Sequence, residues 1–127
     1  MRALAAWLPA IAIAAIIFAL SARPNLRVTE GDLDLVLRKL AHLVVFGLLA
    51  AGCLRGLTFH GVRGRAALVG AAALATSYAI SDEFHQTFVA GRSGAPLDVA
   101  IDLVGILVAL AALAGNPRLR ARIVAPA

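Results

Sequence analysis

The chain has 127 residues, of which 61% are hydrophobic and 15% charged, with a formal net charge of +5. Ordinary soluble domains carry roughly a quarter charged residues and at most about half apolar ones, so this composition argues against a soluble fold and indicates a membrane protein. The length fits one domain over residues 1–127, and the single Cys53 excludes a disulfide framework.

Four apolar runs, taken in chain order, approach the length of about 20 helical residues that crosses a bilayer. They are Ala3–Leu20, Leu40–Leu54 with the amphipathic extension Leu33–Lys39, Ala66–Ile80 and Val99–Ala114, with connections at Asn25–Gly31 and Gly61–Arg65. The runs lack the alternating pattern of barrel strands, so the sequence predicts an all-α, polytopic bundle of four transmembrane helices. Met1-Arg2 also resembles the start of a secretory signal, but the first apolar run is long for one and we expect a retained helix.

The charged residues divide between the two ends of the predicted bundle. One end receives only basic residues, namely Arg2, Arg55, Arg63, Arg65, Arg118, Arg120 and Arg122. The other receives fewer basic residues and all of the acids, namely Arg23, Arg27, Arg38, Lys39, Arg92, Glu30, Asp32, Asp34, Asp82, Glu83, Asp98 and Asp102. The positive-inside rule places both termini in the cytoplasm and the acidic end outside. The basic residues lack interleaved aromatics, so nucleic-acid binding is not expected.

Polar side chains gather at the acidic ends of three predicted helices and in the loop after the third. Helix by helix they are Lys39 and His42, followed by Phe46; Asp82, Glu83, His85 and Gln86; and Asp98 and Asp102, followed by Gly105. Spacings of three or four residues place the members of each group on one helix face, with Glu83 on a neighbouring stripe. Ionisable residues within a membrane cost about 2.5–3.5 kcal/mol at mid-helix, so they turn inward and find partners. We therefore expect these groups and Arg92 of the loop to converge in one pocket near the outer surface.

Each of these residues also has a purely structural explanation. Asp98 can complement the positive end of its helix, Arg92 can pair with Asp98 or Glu83, and Lys39 with Asp102. A bundle that needed only stability could pack with small and apolar residues alone. The number of polar groups at one level therefore favours a functional pocket.

Several motifs resemble those of the VanZ-like family, small membrane proteins named for a protein associated with resistance to the glycopeptide teicoplanin. They are Ser21-Ala22-Arg23-Pro24, Lys39-x-x-His42-x-x-x-Phe46, and Asp82-Glu83-x-His85-Gln86-x-Phe88-x-x-Gly91-Arg92 followed by Asp98-x-x-x-Asp102-x-x-Gly105. The chain departs from the family pattern at Ala90, where the family often has proline, and at Asp102, where it often has asparagine. The resemblance implies a location in the cell membrane and a link to the bacterial cell envelope.

The residue types favour an enzyme that acts on a lipid-linked phosphate, as a hydrolase or transferase. The candidate substrate-binding residues are Lys39, Asp82, Gln86 and Arg92, and the candidate catalytic residues are His42, Glu83, His85, Asp98 and Asp102. Arginine grips phosphate bidentately and lysine adds a point charge. Either histidine is a candidate base or nucleophile, oriented by one of the aspartates, and Glu83 is the alternative acid–base group.

Two other functions stay open from the sequence: a non-catalytic protein that binds a lipid headgroup or glycopeptide, and a proton-coupled transporter that uses Asp102 and His42. No cofactor is predicted, although a divalent metal such as zinc or manganese is an alternative. Its candidate ligands are His42, Asp82, His85, Asp98 and Asp102. The expected partner is a membrane lipid or lipid-linked envelope precursor, and homo-oligomerisation is left open.

Overall fold

The computed structural model describes residues 1–24, 29, 31–92 and 94–124, and its regular elements are α-helices. They are α1 (Arg2–Ser21), α2 (Asp32–Phe59), α3 (Gly64–Gln86), α4 (Pro96–Gly115) and α5 (Pro117–Val124). The all-α prediction is confirmed, and each of the four predicted runs lies inside one of the first four helices. Most of the predicted connection 25–31 lies outside the described residues. The short helix α5, rich in arginine, was not predicted.

Three helices, α1, α2 and α4, are long and apolar enough to cross a membrane. The fourth, α3, has 23 residues, of which seven are alanine, and it ends in the polar sequence SDEFHQ. Length and composition therefore support three of the four predicted spans. Large apolar side chains such as Leu4, Leu8 and Ile11 of α1 are exposed on the outside of the bundle, as expected for a surface that faces lipid.

The helix α2 lies at the centre of the bundle and contacts each of the other four. Hydrogen bonds show that α1 and α3 are parallel to each other, and that α2 and α4 are parallel to each other. The backbone N–H of Ala95, just before α4, donates to Glu83 near the end of α3, so α4 begins where α3 ends. The C-terminal turns of α1 and α3 and the N-terminal halves of α2 and α4 therefore form one end of the bundle, here called the polar end. At the other end, Arg55 of α2 donates a hydrogen bond of 3.3 Å to the carbonyl oxygen of Ile123 in α5.

Small residues set the distances between helices. On α3 the fully buried positions repeat every fourth residue and are Ala67, Ala71, Ala75 and Ala79. On α4, a Cβ at Gly105 would overlap the carbonyl oxygen of Leu43 in α2, so only glycine permits this approach. Leu43 follows His42, and Gly105 lies three residues after Asp102. This contact therefore brings the polar faces of α2 and α4 within hydrogen-bonding distance.

Candidate functional site

Two polar pairs join α2 to α4 at the polar end. Nζ of Lys39 donates a hydrogen bond of 2.6 Å to Oδ1 of Asp98. One turn deeper, Nδ1 of His42 and Oδ1 of Asp102 share a hydrogen bond of 3.1 Å. The alternative pairing of Lys39 with Asp102 is wrong, because Lys39 lies level with Asp98 in the first turn of α4 and Asp102 lies one turn deeper, level with His42.

The last turns of α3 supply Asp82, Glu83 and Gln86, and all three are buried. The Gln86 amide nitrogen donates to Oδ2 of Asp82 at 3.0 Å and to Oε1 of Glu83 at 3.2 Å. Ser21 at the end of α1 donates to Oδ2 of Asp82 at 2.9 Å, and the backbone N–H of Ala95 donates to Oε2 of Glu83 at 3.0 Å. Both carboxylates are thus held by neutral donors.

Arg92 lies in the loop between α3 and α4 and ties that loop to α1. Its Nη1 donates to Oε1 of Gln86 at 3.1 Å, its Nη2 to the carbonyl oxygen of Leu20 at 3.0 Å, and its Nε to that of Arg23 at 3.2 Å. Burial, and then the nearby charge of Arg38, lower the pKa of the Arg92 guanidinium, although an arginine remains protonated in proteins. The alternative pairing of Arg92 with Asp98 or Glu83 is wrong, because the guanidinium donates to Gln86 and to two backbone carbonyl oxygens instead.

His85 lies against α1. Its ring stacks on that of Phe18 with 4.8 Å between centroids, and its Nε2 is buried without a hydrogen-bond partner among the described residues. Successive residues of a helix are rotated by about 100° around its axis. Gln86 lies between Asp82 and Glu83 at the centre of the polar face of α3, and His85 is rotated about 100° away from Gln86. His85 is therefore not among the residues that line the polar cavity described next.

A polar cavity of about 50 Å³ opens among these side chains, and an apolar groove of about 240 Å³ adjoins it between α1 and α2. The cavity lining includes Arg38, Lys39, His42, Gln86, Arg92 and Asp98. The groove has an apolar wall of Ile16, Ile17, Leu20, Ala41 and Val45. Both cavities are bordered by Arg38, His42 and Arg92, so the groove lies directly beside the polar cavity.

Arg38 was not among the residues singled out from the sequence. Its Nε lies 2.8 Å from Oδ2 of Asp34, one turn earlier in α2. The sequence offered only this spacing of four residues, which by itself indicates a stabilising pair on one helix face and not a functional site. Only the position of Arg38 between the two cavities marks it as part of the site.

One further group forms at the deeper level of the site. His42, Glu83 and Asp102 each offer one ligand atom, and these atoms lie within 4.8 Å of one another. Glu83 was not among the metal ligands proposed from the sequence, and Asp82, His85 and Asp98 do not belong to this group. The second carboxylate oxygen of Asp102, Oδ2, is buried and has no hydrogen-bond partner among the described residues.

The apolar helices and the cluster of ionisable side chains at one end of the bundle define a helical membrane protein with a polar site beside an apolar groove. A family model described as VanZ/LLP1 matches residues 4–115, and the chain therefore belongs to the VanZ/LLP1 family. This finding confirms the resemblance that the motifs indicate. No curated protein and no solved structure matches the chain.

Proposed function

We propose that the protein binds the phosphate headgroup of a membrane lipid or lipid-linked envelope precursor at the extracytoplasmic face, and that it hydrolyses or transfers this phosphate. The observation that carries the proposal is the junction of the polar cavity with the apolar groove, which share Arg38, His42 and Arg92. A ligand that fills both needs an anionic head and a hydrocarbon chain. A phospholipid and a polyprenyl phosphate have this chemistry.

The polar cavity suits a small anion. Arg38, Lys39 and Arg92 all border it, and arginine and lysine are the side chains that bind phosphate oxygens most effectively in proteins. A cavity of about 50 Å³ accommodates a few water molecules, or one group of similar size such as a phosphate. A glycopeptide headgroup would require the surrounding side chains to move, which favours the simpler ligand.

The apolar groove suits a hydrocarbon chain. Ile16, Ile17 and Leu20 of α1 face Ala41 and Val45 of α2 across it, and Ile16 and Leu20 are exposed at the surface of the bundle. A lipid in the surrounding bilayer could therefore place part of one chain in the groove without leaving the membrane, while its head enters the polar cavity.

His42 is suited to act on the bound phosphate. Asp102 engages its Nδ1, as carboxylates orient catalytic histidines, and no described residue is hydrogen-bonded to its Nε2. In hydrolysis, Nε2 takes a proton from water, the water oxygen bonds to phosphorus, the bond from phosphorus to the lipid oxygen breaks, and that oxygen receives the proton. An acceptor alcohol replaces water in transfer. Lys39 and Arg92 stabilise the charge on the phosphoryl oxygens.

The extracytoplasmic position of the site is inferred from the distribution of charge. Arginines crowd the opposite end of the bundle, on α5 and on the connection between α2 and α3, without acidic residues. Positively charged segments that flank transmembrane helices are retained in the cytoplasm. The polar end then faces the outer leaflet, where lipid-linked envelope precursors are used.

Binding without chemistry is the second candidate. It is favoured by the hydrogen bonds that already engage Lys39 and Arg92, because a pocket whose cations are held in place is preorganised for recognition. In that case mutation of His42 would leave headgroup affinity nearly unchanged, and no product would form.

The test uses purified protein in lipid nanodiscs with phosphatidic acid or a labelled polyprenyl phosphate, and it measures inorganic phosphate release, label transfer and lipid binding. We expect turnover by the native protein and its loss in His42→Gln. His60→Gln is the matched control, because His60 is an exposed histidine at the opposite end of the same helix. Lipid binding without turnover would favour the binding protein, and an absence of both would reject the proposal.

A further inference from the structure

Two buried carboxylates at the polar end, Glu83 and Asp102, have no lysine or arginine partner among the described residues. Asp102 is fully buried and Glu83 is 5% exposed. Neither forms a salt bridge with a lysine or arginine among the described residues, since Lys39 pairs with Asp98 and Arg38 with Asp34. Burying a carboxylate is costly unless a nearby positive charge compensates it. His42 alone supplies a hydrogen-bonding partner that can carry charge, and one imidazolium balances only one of the two carboxylates.

The same side chains have the geometry of a metal-binding group. One ring nitrogen of His42 and one oxygen each of Glu83 and Asp102 lie within 4.8 Å of one another. Ligand atoms around one ion sit about 2.0–2.2 Å from it, so separations of this size need only small side-chain adjustments to close on it. The three residues come from three helices, α2, α3 and α4, which hold the group from different sides.

A second observation points to an absent ligand. Oδ2 of Asp102 is buried and has no hydrogen-bond partner among the described residues, although its partner oxygen Oδ1 is engaged by His42. Buried carboxylate oxygens in native proteins nearly always find a donor or an ion. A cation between Asp102 and Glu83 would satisfy this oxygen and compensate the buried charge at the same time.

We propose that His42, Glu83 and Asp102 bind one divalent transition-metal ion, zinc or manganese, at the inner wall of the polar cavity. A neutral imidazole and two carboxylates carry two negative charges, which one divalent ion neutralises. Nitrogen and oxygen donors of this kind suit zinc and manganese. Three protein ligands leave a coordination position open, as in catalytic zinc sites, and His42 borders the cavity into which that position would open.

The neighbouring hydrogen bonds favour this role. The Gln86 amide nitrogen and the Ala95 backbone N–H each donate to a different oxygen of Glu83, which fixes the orientation of its carboxylate while lone pairs remain for a metal. Outer hydrogen bonds of this type orient the ligands of many metal sites. A Cβ at Gly94 would overlap the carbonyl oxygen of Glu83, so glycine allows the loop that carries Ala95 to pack this closely.

This metal site would extend the proposed function, and a catalytic role for the ion rests on that function. In a metal-loaded site, His42 would be a ligand rather than the base, and the ion would lower the pKa of a bound water that attacks the lipid phosphate. Metal binding itself does not depend on which ligand enters the cavity, so the two proposals can be tested separately.

The experiment measures metal binding to the tag-free, full-length protein after treatment with a chelator. Titration with Mn²⁺ followed by electron paramagnetic resonance should show one bound ion per chain, and pulsed spectra should show one coordinated imidazole nitrogen. Glu83→Gln and Asp102→Asn should weaken binding at least about tenfold. Asp98→Asn is the matched control, because this aspartate lies in the same site but outside the ligand group, and it should bind the ion as the native protein does.

Several results would overturn the inference. They are no bound ion in the native protein, a bound ion without the nitrogen signal, or an equal loss in Asp98→Asn and Asp102→Asn. The resonance measurements on the native protein test the inference even if a variant fails to fold. Phosphate release that persists in excess chelator would refute a catalytic role for the ion and leave the proposed function intact. A bound ion without lipid binding or turnover would support the metal site and reject the proposed function.

Discussion

Lys39 of α2 donates a hydrogen bond of 2.6 Å to Asp98 in the first turn of α4, and both side chains border the polar cavity. The Lys39 side chain is 33% exposed and that of Asp98 is 31% exposed, so water screens the pair. Such a pair contributes on the order of 0.5 kcal/mol to the free energy of unfolding. The pair therefore adds little to stability, and under the proposed function Lys39 would instead contribute its charge to ligand binding.

Replacing Lys39 tests this explanation. Lys39→Met should weaken the binding of phosphatidic acid about tenfold or more, because a charge-assisted hydrogen bond to phosphate is worth about 1.5–3 kcal/mol. Binding is measured by titration into nanodiscs of neutral lipid. Asp98→Asn breaks the same ion pair but leaves the cation, so it should retain or improve affinity. Equal weakening in the two variants would assign a structural role to the pair.

Gly105 controls the approach of α4 to α2. Gly105→Ala places a methyl group against the carbonyl of Leu43, so we expect the free energy of unfolding to fall by about 1–3 kcal/mol. Thermal unfolding in detergent, followed by the fluorescence of Trp7, measures the effect. Gly115→Ala is the control, since a Cβ there has no atom within 4 Å. A fully stable Gly105→Ala variant would mean that the two helices can separate without cost.

Gln86 connects three polar side chains, because it donates to Asp82 and Glu83 and accepts from Arg92. Gln86→Leu leaves these buried groups short of partners, at about 1–3 kcal/mol for each group left unsatisfied. The variant should therefore unfold at a clearly lower temperature. Ser81→Ala is a control on the same helix, where the hydroxyl is exposed and bonds only to the carbonyl oxygen of Tyr78. A Gln86→Leu variant as stable as this control would contradict the buried network.

The two histidines of the polar end should behave differently. His85→Phe preserves the aromatic contact with Phe18 and removes a buried nitrogen that lacks a described partner, so we expect unchanged stability and lipid turnover within about twofold. His42→Gln should abolish turnover, because it removes the group held by Asp102 at the cavity wall. Phosphate release measured side by side separates the two. Loss of turnover in His85→Phe would show that His85, too, is needed for the reaction.

Much of the site could be foreseen because helical spacing is a local property. Lys39 and His42 lie three residues apart, and Asp98 and Asp102 four, so each pair lies on one face of its helix whatever the helix packs against. Spacing does not tell how far each helix is rotated about its own axis. That rotation placed Gln86 at the centre of the inward face of α3 and turned His85 toward Phe18.

The sequence by itself determined the four long helices and the gathering of ionisable residues at one end, since composition and periodicity act within single segments; it did not indicate α5. Only the tertiary structure decided which residues meet: Lys39 with Asp98, His42 with Asp102, and Glu83 with both members of that second pair. The physical reason is that each of the two pairs joins residues about 60 positions apart in the sequence, and that Glu83 comes from a third helix. They depend on the parallel course of α2 and α4 and on the close approach at Gly105, which no local pattern encodes.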